Sequence, residues 1–184
     1  MTFTCYACKG LLIGQPVDDL AAWLNAETPT GIHFNVVGGL DPEFDDPKDA
    51  VVTDAQSGKS VIFIGHSKGA MDTYYIADAL NALGLKAPLF IAIDPTDWGS
   101  NLPGFGTWVV GMPGIGNAGK WKAPANIGRF INFHQPSYPG GGICIEGGED
   151  IIVPNVDHLT IVNSDTVRTI TLDAIGKVLA AAST

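Results

Sequence analysis

Positive charge is scarce in this chain: ten lysines and arginines stand against nineteen aspartates and glutamates, for a formal net charge of -9. That shortage argues against non-specific binding of nucleic acid or of an anionic membrane surface, since both depend on clustered cations. Long apolar runs are missing too. No stretch approaches the roughly 20 apolar residues of a membrane helix, so no membrane span is expected. Met1 to Cys8 has no basic segment followed by a long apolar one, so a cytoplasmic location is expected rather than export by a secretory leader. Cysteine is sparse, at three residues, and an odd count fits a reducing compartment better than a disulfide framework. Cys5 and Cys8 have C-x-x-C spacing, but they fall in an expected strand where residues at that spacing face opposite sides. Two small semi-buried residues are expected there, not a metal or redox pair. Cys144 lies far away in a glycine-rich loop.

What is present describes a compact domain. With 184 residues, 46% hydrophobic and 16% charged, the chain is long enough for one sizeable core spanning 1–184 and short for two. Apolar runs alternate with helical patterns. A first strand is expected over Phe3 to Cys8, then a helix from Pro16 to about Ala26 with Val17, Leu20 and Leu24 on one face. A second strand covers Ile32 to Val37. The acidic stretch Asp41 to Asp46 reads as a solvated loop, with Asp46 capping a short helix opened by Pro47 and running to about Gln56. Val61 to Ile64 is a third strand, followed by a helix over Ala70 to Leu83 that Gly84 ends. Leu89 to Ile93 and Phe130 to Phe133 are continuous apolar runs, as in strands of a parallel sheet covered on both faces. A last helix, Asp165 to Ala181, carries Val167, Ile170, Ala174 and Val178 on one stripe with Ser164 as N-cap. This alternation implies a three-layer α/β sandwich with a mostly parallel central sheet.

Residues 98 to 124 break the rhythm. They are rich in glycine and proline, show no clear period, and carry Trp98, Phe105, Trp108 and Trp121. Such a loop is either an apolar wall or short lid of a substrate pocket, with Trp98, Phe105 and Trp108 lining it, or a packed surface loop whose aromatics fill a small core of their own.

Gly65-His66-Ser67-Lys68-Gly69 lies directly between the third strand and its helix. Glycines flanking a serine at a sharp strand-to-helix turn let the two backbones pass closely while the hydroxyl projects, which is the context of a nucleophile elbow. Ser67 is therefore the candidate nucleophile; the alternative is a glycine-rich turn with a capping serine. A serine hydroxyl needs a base within reach and an acid to orient that base. Of the four histidines, His33 lies inside the second strand, and the side chain of His66 should diverge from that of Ser67 and pack or bond locally. His158, in the loop Pro154-Asn155-Val156-Asp157-His158 before the final helix, fits the base best by its resemblance to α/β-hydrolases, which place the histidine in the loop after the last or near-last strand, with His134 next. Asp94, at the carboxyl end of the run Leu89 to Ile93, is the candidate acid, because parallel strands gather sites at their carboxyl ends. Asp97, Glu146, Glu149, Asp150 and Asp157 are the other carboxylates that could take this role. They could also form a cation site with His134 and His158, but no metal-ligand spacing supports one. For an oxyanion hole, the N–H of Lys68 and one from the loop Lys9 to Gly14, at Gly10 or Leu11, are the candidates.

The order Ser67, Asp94, His158, with Ile93-Asp94-Pro95 soon after Gly65-His66-Ser67, resembles the α/β-hydrolase superfamily over nearly the whole chain. It is similar to the lipase branch, in which the acid follows the strand beside the elbow strand. There is no His-Gly motif after the first strand and no large cap domain, so the resemblance is to a minimal, cutinase-sized lipase or esterase of bacterial or phage type. The resemblance implies a serine hydrolase of a carboxylic ester with an apolar acyl or alcohol part, working without a cofactor. A thioesterase or acyltransferase would use the same residues, and an inactive hydrolase-fold binding or structural protein would keep the fold without the chemistry.

Overall fold

The computed structural model describes residues 2–10, 15–28, 32–38, 47–95, 122–136 and 145–183. Six strands form one sheet: β1 (Phe3–Lys9), β2 (Phe34–Gly38), β3 (Ser60–His66), β4 (Ala87–Ile93), β5 (Ile127–His134) and β6 (Glu149–Ile152). Their order is β2-β1-β3-β4-β5-β6, and every neighbouring pair is parallel. Among the described residues, four α-helices accompany them: α1 (Gln15–Glu27), α2 (Pro47–Gln56), α3 (Lys68–Ala82) and α4 (Asp165–Ala182).

Alternation along each strand divides the core in two. Cys5, Ala7, Ile62, Ile64, Leu89, Ile91 and Ile93 pack with Val17, Leu20 and Leu24 of α1 and with Val167, Ala174 and Ile175 of α4. Tyr6, Cys8, Val61, Phe63, Phe90 and Ala92 pack with Val51 of α2 and with Ala70, Ile76, Ala77 and Leu80 of α3. A pleated strand sends successive side chains to opposite faces, so each central strand serves both layers and must be apolar throughout. The result is a three-layer α/β sandwich, with α1 and α4 on one face and α2 and α3 on the other. Cys5 and Cys8 fall in different layers, as their spacing requires, and both are fully buried rather than semi-buried.

Several boundaries move. Helix α3 starts at Lys68, immediately after the serine, and ends where Gly84 takes φ 67. Strand β2 begins at Phe34, leaving His33 exposed ahead of it. Strand β5 is longer than its apolar run, because Ile127, Gly128 and Arg129 also pair with β4. Strand β6 has no sequence counterpart at all. It is a short edge strand beginning with Glu149 and Asp150 and burying little, so it lacks the hydrophobic period that marks the others. The Asp41 to Asp46 segment, Cys144, and Trp98, Phe105, Trp108 and Trp121 lie outside the described residues. No helix among the described residues is long and apolar enough to cross a membrane.

Candidate active site

The strand order reverses direction between β1 and β3, the position where an open parallel sheet leaves a crevice beyond its carboxyl ends. Ser67 stands at that position. It is the single residue between β3 and α3, at φ 58 and ψ -125, a backbone conformation that side chains other than glycine's rarely adopt. The surrounding chain holds it there. Its N–H donates to the Ile93 carbonyl over 3.0 Å and its carbonyl accepts from Ala70 N–H over 3.1 Å. Close approach of the backbones explains the glycines: a Cβ on Gly65 would overlap the Gly69 carbonyl and the Thr73 hydroxyl, and one on Gly69 would press on the Cys8 and Lys9 carbonyls of β1.

The loop after β1 meets the serine at Gly10. A Cβ there would lie 2.9 Å from Ser67 Cβ and 3.3 Å from its Oγ. Gly10 therefore lets main chain run directly against the hydroxyl. Leu11 lies outside the described residues. Lys68 opens α3, and its ammonium pairs with both Asp72 oxygens at 2.9 Å along the helix.

Asp94 follows β4, the neighbour of β3, and is fully buried at φ 44. Its N–H donates to the Phe133 carbonyl over 2.6 Å, which fixes the turn against β5. Across the sheet end, His158 Nδ1 lies 2.6 Å from Asp94 Oδ2. A carboxylate oxygen only accepts, so Nδ1–H donates and Nε2 carries the lone pair of the neutral ring. Gln135, just beyond β5 and itself buried, brings its side-chain Nε2 to 3.3 Å from Oδ2 and its main-chain N to 3.4 Å from Oδ1. The His158 side chain keeps 23% of its exposure while Asp94 keeps none. The imidazole thus connects a dry carboxylate to the open end of the sheet.

His66 packs, buried against the ring of His158, and does not bond locally. Its ring bonds to the far loop: Nε2 lies 2.7 Å from the carbonyl oxygen of His158, and the ring centroids are 4.6 Å apart. The loop Pro154 to Thr160 folds back over the strand ends. Burial, reinforced by the nearby His158, depresses the His66 pKa to about 3, against a partial offset from its bond to the His158 carbonyl. His66 is neutral at any ordinary pH.

The remaining carboxylates are engaged elsewhere. Asp157 shapes the histidine loop, its Oδ1 accepting from the N–H groups of Leu159 and Thr160 and from the Thr160 hydroxyl. Glu149 pairs with Arg129, Asp150 accepts from Asn132, and Glu146 pairs with Lys122. Asp97 lies outside the described residues. His134 ends β5, its carbonyl accepting from Val153 N–H. Among the described residues, no three His, Cys, Asp or Glu side chains are grouped as metal ligands would be. Sequence reasoning missed Gln135 and the role of the His66 ring. The available signal was their position, since each lies at the carboxyl end of a strand.

Parallel sheet, sandwich layers and an elbow at the strand reversal define the α/β-hydrolase fold. No protein-family model matches the sequence, and no curated protein matches it. Solved structures do match. ClbQ from the colibactin NRPS/PKS pathway is similar at 12% identity and TM-score 0.54, over 98% of this chain and 100% of its own. Human thioesterase 2 is similar at 12% identity and TM-score 0.51, over 100% of this chain and 99% of its own. The RedJ thioesterase from the prodiginine biosynthetic pathway in Streptomyces coelicolor is similar at 12% identity and TM-score 0.50, over 94% and 84%. At such identities the likeness is one of fold, and the chain has the α/β-hydrolase fold.

Proposed function

We propose that the chain is a serine hydrolase that cleaves a carboxylic ester or thioester through an acyl-enzyme on Ser67. The observation that carries the reading is the 2.6 Å bond between Asp94 and His158, made at the same sheet end as a serine held at φ 58. In this scheme Ser67 Oγ attacks the acyl carbon as its proton passes to His158 Nε2. The carbon–oxygen or carbon–sulfur bond then breaks, and the same proton leaves on the departing alcohol or thiol. Water repeats the sequence, giving up a proton to His158, and frees the carboxylic acid as the proton returns to Ser67. Asp94 orients the imidazole and favours its transient positive charge. The N–H of Lys68 and one from the Gly10–Leu11 segment stabilise the oxyanion.

Two of the solved structures of the same fold are thioesterases, so a thioester fits the reading as well as an ester does. A matched pair of substrates decides between the two leaving groups: the butyryl ester of p-nitrophenol and the butyryl thioester of N-acetylcysteamine. A higher kcat/KM for the thioester supports a thioesterase, and the reverse supports an esterase. Fluorophosphonate labelling that maps to the Ser67 peptide supports the acyl-enzyme, and labelling elsewhere overturns it.

A further inference from the structure

His66 takes no part in that acyl transfer, yet it is 2% exposed and sits between the nucleophile's strand and the base's loop. Its Nε2 lies 2.7 Å from the His158 carbonyl oxygen, and its ring faces that of His158 at 4.6 Å with planes 36° apart. A carbonyl oxygen has no proton to give, so Nε2–H donates and Nδ1 holds the lone pair. That Nδ1 is buried and has no hydrogen-bond partner among the described residues. An apolar ring would fill the same space without stranding a nitrogen, so packing alone does not account for a histidine here. What the histidine adds is a donor to the main chain of the base. The bonds from Leu159 and Thr160 to Asp157 shape the His158 loop but do not tie it to the elbow.

Resting on the reading of Ser67 and His158 given above, we propose that His66 is a positioning residue: its Nε2–H fastens the main chain of His158 to the residue adjoining Ser67, and its ring holds the His158 imidazole against Asp94. The nucleophile and the base are far apart in sequence, and this bond spans 92 residues. Because His66 and Ser67 share a peptide bond, one hydrogen bond fixes the base's loop relative to the nucleophile. A small displacement of that loop would misplace the imidazole without unfolding anything, and misplacement of about 1 Å can cost about 100-fold in rate.

The test compares wild type, His66→Phe, His66→Gln and Ser67→Ala on p-nitrophenyl butyrate, with proton NMR of the His158 Nδ1–H resonance. Phenylalanine keeps the ring and loses the donor; glutamine can place an N–H near the position of Nε2. His66→Phe should lower kcat about 10- to 100-fold with little change in KM and broaden the deshielded Nδ1–H signal, whereas His66→Gln should restore most of both. Normal kcat and signal in His66→Phe, or equal impairment in the two variants, would overturn the proposal. Nitrogen NMR of the wild type at neutral pH needs no variant: the proton of His66 on Nε2 supports it, and a proton on Nδ1 overturns it. If Ser67→Ala stays active, the serine hydrolase reading fails. If Ser67→Ala is inactive while His66→Phe is normal, only the positioning role fails.

Discussion

Two aspartates in this molecule gather hydrogen bonds in similar number and to different ends. Asp54 on α2 accepts from the Thr4 and Tyr6 hydroxyls of β1 and from Lys59, each over 2.7 Å. Burial alone would raise its pKa, but the bonds from Lys59, Tyr6 and Thr4 outweigh that and hold it below the usual carboxylate range. Burial and the Asp54 bond together push the Tyr6 phenol up to about 12. Asp54 and Tyr6 each keep one protonation state at neutral pH, and the cluster pins a helix to the sheet. Asp94 faces an imidazole instead, from a turn at φ 44. A histidine can take and release a proton while the carboxylate stays in place. The count of bonds to a carboxylate says little; what sets Asp94 apart from Asp54 is a partner of a type that can change charge near neutral pH.

Mutation should widen that contrast. The largest effect is expected at the serine itself: Ser67→Ala should lower turnover of short aryl esters by about 10⁶ with unchanged circular dichroism. Retention of a tenth of wild-type activity would remove the nucleophile assignment. His158→Ala should be nearly as severe, and adding it to Ser67→Ala should cost little more, because the members act as one unit. If His134→Ala is the inactive variant instead, the base lies at the end of β5.

The two aspartates themselves come next. Asp94→Asn should reduce kcat by about 10⁴ with the fold retained, as loss of the orienting carboxylate does in serine proteases. Asp54→Asn should leave kcat within about twofold and instead lower unfolding stability by about 1–3 kcal/mol, the usual cost of weakening a partly buried, charge-assisted network. Equal kinetic effects of the two changes would erase the distinction.

A further effect concerns acid stability. In the native state His66 stays neutral down to about pH 3, whereas its ordinary value is 6.5. The unfolded chain therefore binds the extra proton between those limits, so stability present above pH 6.5 is lost progressively as pH falls toward 3. Denaturant midpoints for His66→Phe should change less over that window than those of wild type. Parallel curves for the two would show that His66 does not carry this linkage.

Legibility in the sequence followed periodicity. Leu89 to Ile93 and Val61 to Ile64 are apolar at every position because both sheet faces are covered, and they read directly as strands. The Ser164 cap was equally plain, and its hydroxyl does accept from Val167 N–H over 3.3 Å. Strand β6 was not legible, since an exposed edge strand buries too little to impose a pattern. At the site, strand, serine and helix were readable as a turn. Asp94 and His158 were the first choices, from their places at a strand end and in the loop before the last helix, within a field that included Asp97, Asp150, Asp157 and His134.

The sequence by itself determined the order of the elements other than β6, the two-faced burial of the central strands and the strand-to-helix turn at Ser67. These follow from side-chain size, glycine placement and local period, all of which act over a few residues. Which carboxylate meets which imidazole was decided by tertiary structure. So were the bond from His66 to the His158 carbonyl and the approach of Gln135 to Asp94. Each of these joins residues 41 to 92 positions apart. Such pairings depend on how neighbouring strands stagger and on where a loop folds back over their ends, and no local pattern records either.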